Sequence, residues 1–171
     1  MSLQFTVLGT PIPKGSTRAY LPKGWTRPII TSDNTKVRPW QEAIVVAALD
    51  VLGDAPLMKR PTPVALWLRF FMPRPKTAPR RETEATKKPD LDKLVRAVKD
   101  ALTRAGAYDD DSQVVLVVAS KEFAAGARDP DGARGLPRVV IRVDEYVAAA
   151  APTQLRPETY SQGKLWAELE A

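Results

Sequence analysis

The chain has no cysteine and no histidine among its 171 residues. The first absence removes disulfides, thiolate nucleophiles and cysteine-based zinc sites. The second removes Ser-His-Asp triads, imidazole bases and histidine metal ligands. Hydrolytic chemistry in such a chain has to run on carboxylates, Lys and Arg, with or without a bound hard cation. Long apolar runs are missing too. No stretch nears the roughly 20 residues a membrane span needs, and the longest, such as 114–119, have strand length. Residues 1–5 lack the basic head and apolar run of a secretory leader. The expectation is a soluble, cytoplasmic chain with no membrane contact, long enough for one domain with a real core.

What is present is mostly positive. Lys and Arg number 26 against 20 Asp and Glu, a net charge of +6 that suits a polyanionic partner without requiring one. Residues 3–9 alternate imperfectly and predict a strand. From 10 to 37 the pattern dissolves into Pro, Gly, Thr and basic residues, a long N-terminal arm or loop. Pro39 then opens a helix, with Trp40, Ala43, Ile44, Ala47, Ala48 and Val51 at helical spacing and Gly53 closing it. Residues 62–72 are rich in strand formers and apolar on both faces, which suits a strand covered on both sides by a helix or by a partner subunit.

Residues 73–89 hold four prolines and the bases Arg74, Lys76, Arg80, Arg81, Lys87 and Lys88 against Glu82 and Glu84, the composition of a mobile basic loop. A helix is predicted over 90–104, with Leu91, Leu94, Val95, Val98 and Leu102 as its buried stripe, Asp90 as cap and Gly106 as stop. Strands follow over 112–123 and 139–143, joined by a Gly/Asp/Arg loop, and an Ala- and Pro-rich tail runs over 148–171 with a short helix near 164–169. The order β, α, β, α, β, β gives one domain over 1–147 of α+β class, a small mixed sheet with helices packed on it.

The chemistry concentrates in 87–113. Asp90 and Asp92 flank Leu91 where the helix begins, and Asp109, Asp110 and Asp111 stand at the mouth of the next strand. Each has an ordinary explanation, as a cap or as a solvated turn. Three features favour a site. Two acids at a non-helical entry can converge where two inside a helix would diverge. Consecutive Asp residues repel one another and are expected to recruit a cation where they pack near other carboxylates. Lys87, Lys88, Lys93, Arg96 and Lys99 surround the acids, with Asp92, Arg96 and Lys99 sharing one helix face. Clustered carboxylate oxygens suit Mg²⁺, and Lys and Arg beside them hold a nucleic-acid backbone, which is what metal-assisted phosphodiester hydrolysis requires.

The stretch Lys88-Pro89-Asp90-Leu91-Asp92, the helix ending Asp100-Ala101-Leu102, the turn at Gly106 and Asp110-Asp111-Ser112-Gln113-Val114 together resemble the signature of the RusA family of Holliday-junction resolvases. Gly9-Thr10-Pro11-Ile12-Pro13-Lys14-Gly15 and Trp40 resemble its N-terminal motif and first-helix aromatic, so the likeness runs over roughly 5–145. The resemblance implies a Mg²⁺-dependent homodimer (Mn²⁺ being the alternative ion) that cuts four-way DNA junctions symmetrically in recombination and repair, in a phage or prophage setting. It implies no nucleotide cofactor.

Carried over residue by residue, the family's metal-binding acids fall on Asp90, Asp92 and Asp111, with Asp110 beside it. The family's catalytic lysine falls on Arg96, which would stabilise the scissile phosphate but is no proton donor. Its Asn after the second Asp falls on Lys93, which cannot accept a hydrogen bond as Asn does. Backbone binding is expected from Lys14, Arg18, Arg74, Lys76, Arg80, Arg81, Lys87, Lys88, Lys93 and Lys99, with Lys23 and Arg27 further along the arm. A helix of about 22 Å separates Asp92 from Asp111. Either the following six residues double back, or Asp111 serves a site shared with a second subunit. The rival functions are a non-catalytic DNA-binding protein and a metal-dependent nuclease for another branched DNA.

Overall fold

The computed structural model describes residues 2–15, 17–32, 34–53, 58–79, 81–82, 84–124 and 135–147. The tail 148–171, most of the 125–137 loop and Arg80 lie outside the described residues, as does the side chain of Arg18. The fold is α+β, as the sequence predicts. One four-stranded sheet carries two helices on one face. Its strands are β1 (Ser2–Leu8), β4 (Val64–Met72), β5 (Val114–Phe123) and β6 (Arg138–Glu145), in the order β1-β6-β4-β5. β6 is antiparallel to both β1 and β4, whereas β4 and β5 are parallel. Parallel neighbours need a crossover, and the helix α2 (Leu91–Ala105) supplies it.

Alternation decides which face of the sheet is core. In β1, Leu3, Phe5 and Val7 point inward and the residues between them outward. In β4, Leu66, Leu68 and Phe70 are fully buried beneath the helices. The other face of β4 is also largely covered, but by basic groups laid on aromatic rings. Arg138 sits 3.7 Å and Arg69 5.1 Å from the Phe71 ring, and Arg142 lies 5.3 Å from that of Trp67. Glu122 and Asp144 hold Arg69 and Arg142 at 3.1 and 2.8 Å. The strand is internal to the sheet, and among the described residues the helices lie on one face of it.

The first helix, α1 (Val37–Leu52), begins two residues before Pro39, and buries Trp40, Ile44, Ala48 and Leu52. Ala43 and Val51, placed in the stripe by spacing, are exposed. An i, i+4 row drifts slowly around a 3.6-residue helix, so one such row meets α2 and β1, and of the adjacent row only Ala47 packs against the core. The 10–37 arm is more structured than its composition suggests. It contains a small antiparallel pair, β2 (Thr17–Tyr20) and β3 (Ile29–Ser32), outside the main sheet. β-Branched residues in 29–32 give the strand preference that the surrounding Pro and Gly mask.

Gly9 turns the chain off β1 at φ +124°, where a Cβ would stand 3.4 Å from the Trp40 ring, and its N–H donates to the Pro137 carbonyl at 2.9 Å. Glycine is needed there for the backbone angle, while the space beside Trp40 would admit a Cβ at ordinary contact distance. Among the described residues no helix is long and apolar enough to cross a membrane.

Candidate active site

The head of α2 is built by what precedes it. Lys121, from β5, donates through Nζ to the carbonyls of Lys87 (2.8 Å) and Pro89 (2.7 Å), pinning the segment that leads into the helix. Asp90 occupies the cap position with extended backbone, φ −70° and ψ 139°, yet its carboxylate makes no capping hydrogen bond. It turns instead to Lys93, whose Nζ lies 2.8 Å from Oδ2. The hydrogen bond and charge of Lys93 hold the Asp90 carboxyl below its ordinary range, with Lys88 and Lys121 adding to the effect, and the same pair raises Lys93. Asp92 is exposed in the first turn, and Arg96, one turn on, is exposed as well.

The second acidic group is built by the end of α2. Gly106 adopts a left-handed conformation, φ 73°, and the N–H of Ala107 returns to the Leu102 carbonyl at 3.0 Å, closing the helix and reversing the chain. Tyr108 is fully buried and donates to the Lys99 carbonyl at 3.1 Å, and burial pushes its phenol up. Asp110 then caps a 3-10 turn, Asp111–Gln113. Its Oδ1 accepts from the Ser112 N–H at 2.9 Å, while Gln113 Oε1 accepts from the Asp110 N–H at 3.0 Å. Ser112, and after it Arg60 at 3.0 Å, lower the Asp110 carboxyl. Asp109 accepts from the Arg60 N–H at 2.9 Å. Buried Gln113 fixes the turn to the chain before β4, donating to the carbonyls of Met58 (2.9 Å) and Thr62 (3.0 Å).

The two acidic groups do not meet within one chain. β5 pairs with β4 so that Val114 stands beside Val64 and Phe123 beside Met72. Asp111 therefore belongs to the Val64 end of the sheet. Asp90 shares a cleft with Met72 and Phe123 at the other end. Asp111 touches α2 at Lys99, 3.6 Å away, seven residues and about 10 Å along the axis from Asp92. No group of three or more acidic side chains is close enough to hold a metal ion among the described residues. The oxygen donors are of the type that hard divalent cations take, but one chain offers them in two halves, with Asp90, Asp110 and Asp111 each paired to a base.

The bases divide likewise. Arg74 is engaged inside the 73–89 loop. Its guanidinium donates to the carbonyls of Glu82 (2.8 Å) and Pro79, and stacks 5.2 Å from the Phe123 ring. Lys14 hydrogen-bonds through its backbone N–H to the Lys93 carbonyl at 3.0 Å and pairs through Nζ with Asp100. Lys76, Arg81, Lys87 and Lys88 are exposed, as are Lys23 and Arg27.

Asp100 stands in the family-like signature, but the sequence gives it no place in the site. With Lys14, Gln41, Asp110 and Asp111 it lines a second cleft of about 500 Å³. The spacing of α2 does not mark it, because its partner Lys14 stands 86 positions away. The N-terminal Pro11-Ile12-Pro13-Lys14 segment thus lies along α2 between the two acidic groups.

A protein of Bacillus subtilis (strain 168), described as uncharacterized protein YqaN, is 29% identical over 136 residues, covering 74% of this chain and 91% of that protein. The family profile described as Endodeoxyribonuclease RusA matches residues 9–144, which takes in the N-terminal motif, both acidic groups, β4, β5 and all but the last residue of β6, and begins just after β1. The chain belongs to the RusA family of endodeoxyribonucleases.

Proposed function

We propose that the protein is a divalent-metal-dependent endonuclease that resolves four-way DNA junctions, with Mg²⁺ as the ion, and that it works as a homodimer. The observation that carries this reading is the family match, whose span includes Asp90, Asp92, Asp110 and Asp111 together. The separation of the acids supports the dimer. Asp90 and Asp92 of one protomer form half of a site, and the partner subunit's Asp111 completes it, with Asp110 beside it. Two such sites related by a two-fold axis match two symmetric phosphates across a junction. The chemistry a divalent cation supplies when bound is acidification of a water and neutralisation of charge on the phosphate.

The chain's own groups bind and orient. Arg96, exposed one turn from Asp92, offers a planar fork of donors to a non-bridging phosphate oxygen. Lys87, Lys88, Lys76 and Arg81 hold the backbone without reading sequence, so junctions are selected by shape. With no histidine in the chain, proton removal from the attacking water falls to a carboxylate or to solvent.

One observation favours a non-catalytic DNA binder, namely that Asp90, Asp110 and Asp111 are each neutralised by a base. A gel assay separates the readings. Labelled four-way, three-way and linear duplex DNA are incubated with protein and Mg²⁺, and the four-way junction is expected to be nicked in two symmetric strands at least about tenfold faster than the others. Linear duplex cut as fast as the junction removes the resolvase reading. No cut in any substrate leaves only the binder.

A further inference from the structure

Beside Asp90 lies a cleft of about 570 Å³ that the metal chemistry does not use. Its walls are Ile12 from the N-terminal segment, Met72 and Phe123 from the ends of β4 and β5, and Pro75 from the basic loop. The walls are firmly held: Met72 and Phe123 belong to the core, Ile12 packs against it, and Arg74 lies over the Phe123 ring. Around this apolar lining stand Lys87, Lys88 and Lys93, with Asp90 on the rim. Apolar walls with a cationic rim are not what a duplex backbone needs, since a backbone is met by charge on a flat or grooved surface. They are what an unstacked nucleotide needs, with its base against the apolar walls and its phosphates at the rim.

We propose that the cleft receives one unpaired deoxynucleotide of the strand that Asp90 addresses, and so sets which phosphate is presented for cleavage. The volume falls within the roughly 300–1,000 Å³ of pockets that enclose groups of this size. A base inside a duplex shows only its edges, so it cannot enter an apolar cleft of this kind without leaving the stack. The crossover of a four-way junction is where leaving the stack costs least. The inference rests on the nuclease reading for its link to cleavage, but the binding it describes is measurable without cleavage.

The test is fluorescence anisotropy in EDTA with two probes of equal length and charge, oligo(dT) and an oligomer of abasic residues. The full chain is expected to bind oligo(dT) at least about tenfold more tightly. Pro75→Glu places a carboxylate on an exposed part of the wall, and Ile12→Ser removes an apolar face. Each is expected to cut that preference to about threefold or less while thermal unfolding of the Pro75→Glu protein stays cooperative. Equal affinity for the two probes overturns the cleft, as does a preference that Pro75→Glu leaves untouched. Junction cleavage alongside equal affinities overturns the cleft and spares the nuclease. A tenfold preference without any cleavage overturns the nuclease and leaves a single-strand nucleotide site.

Discussion

Lys93 Nζ lies 2.8 Å from Asp90 Oδ2, so a lysine stands where a metal ion would claim the same carboxylate. The pair is local, three residues apart on the first turn of α2, and each partner shifts the other toward its charged form. A metal ion binding there has to displace the ammonium. Lys93→Asn is expected to raise affinity for Mn²⁺ by about tenfold, the scale on which groups around a metal's ligands act. Isothermal titration of Mn²⁺ into both proteins checks this. Unchanged affinity shows that Asp90 is not a metal ligand.

Gln113 closes the acidic turn by accepting from the Asp110 N–H and ties it to the rest of the fold by donating to the carbonyls of Met58 and Thr62. Gln113→Leu keeps the size of the side chain but strips those groups of their partners in a buried setting. The expected loss is about 2–4 kcal/mol, read from urea unfolding, with any junction cleavage falling in step because Asp110 and Asp111 lose their support. A loss under about 0.5 kcal/mol would mean that water replaces the amide without cost.

The pH dependence of stability follows from Asp90 and Asp110, whose carboxyls are held below their ordinary range by Lys93 and by Ser112 with Arg60. A carboxyl depressed in the folded protein contributes stability that is complete above its unfolded pKa of about 3.9. That contribution is lost as pH falls through the lower folded value. With no histidine in the chain, no imidazole titrates between about pH 5 and 8. The urea midpoint is expected to be flat across that window and to fall below about pH 4. A midpoint that moves between pH 6 and 7 contradicts this assignment.

Much of this was legible in the sequence because it is encoded locally. The β1 alternation, the α2 stripe, the stop at Gly106 and the spacing of Asp90, Asp92 and Asp110–Asp111 each depend on neighbours within a few residues. What was not legible depends on contacts between distant segments. The Lys14–Asp100 pair needs the N-terminal segment laid along α2. The engagement of Arg74 by its own loop needs the loop's folded path. The placing of the two acidic groups at opposite ends of β4 needs the parallel register of β4 with β5. Spacing alone left open whether Asp111 doubles back to Asp92; the register separates them.

The central claim is that Asp92 serves catalysis and not DNA binding, and one comparison tests it most directly. Asp92→Asn and wild-type protein are incubated with a labelled four-way junction and Mg²⁺, with binding followed by gel shift in Ca²⁺ and strand cutting by denaturing gel. Asp92 is exposed and makes no core contact, so the variant is expected to fold and to bind the junction within about threefold of wild type while cutting at least about 100-fold more slowly. A variant that cuts at the wild-type rate, or a wild type that binds and never cuts, would contradict the account.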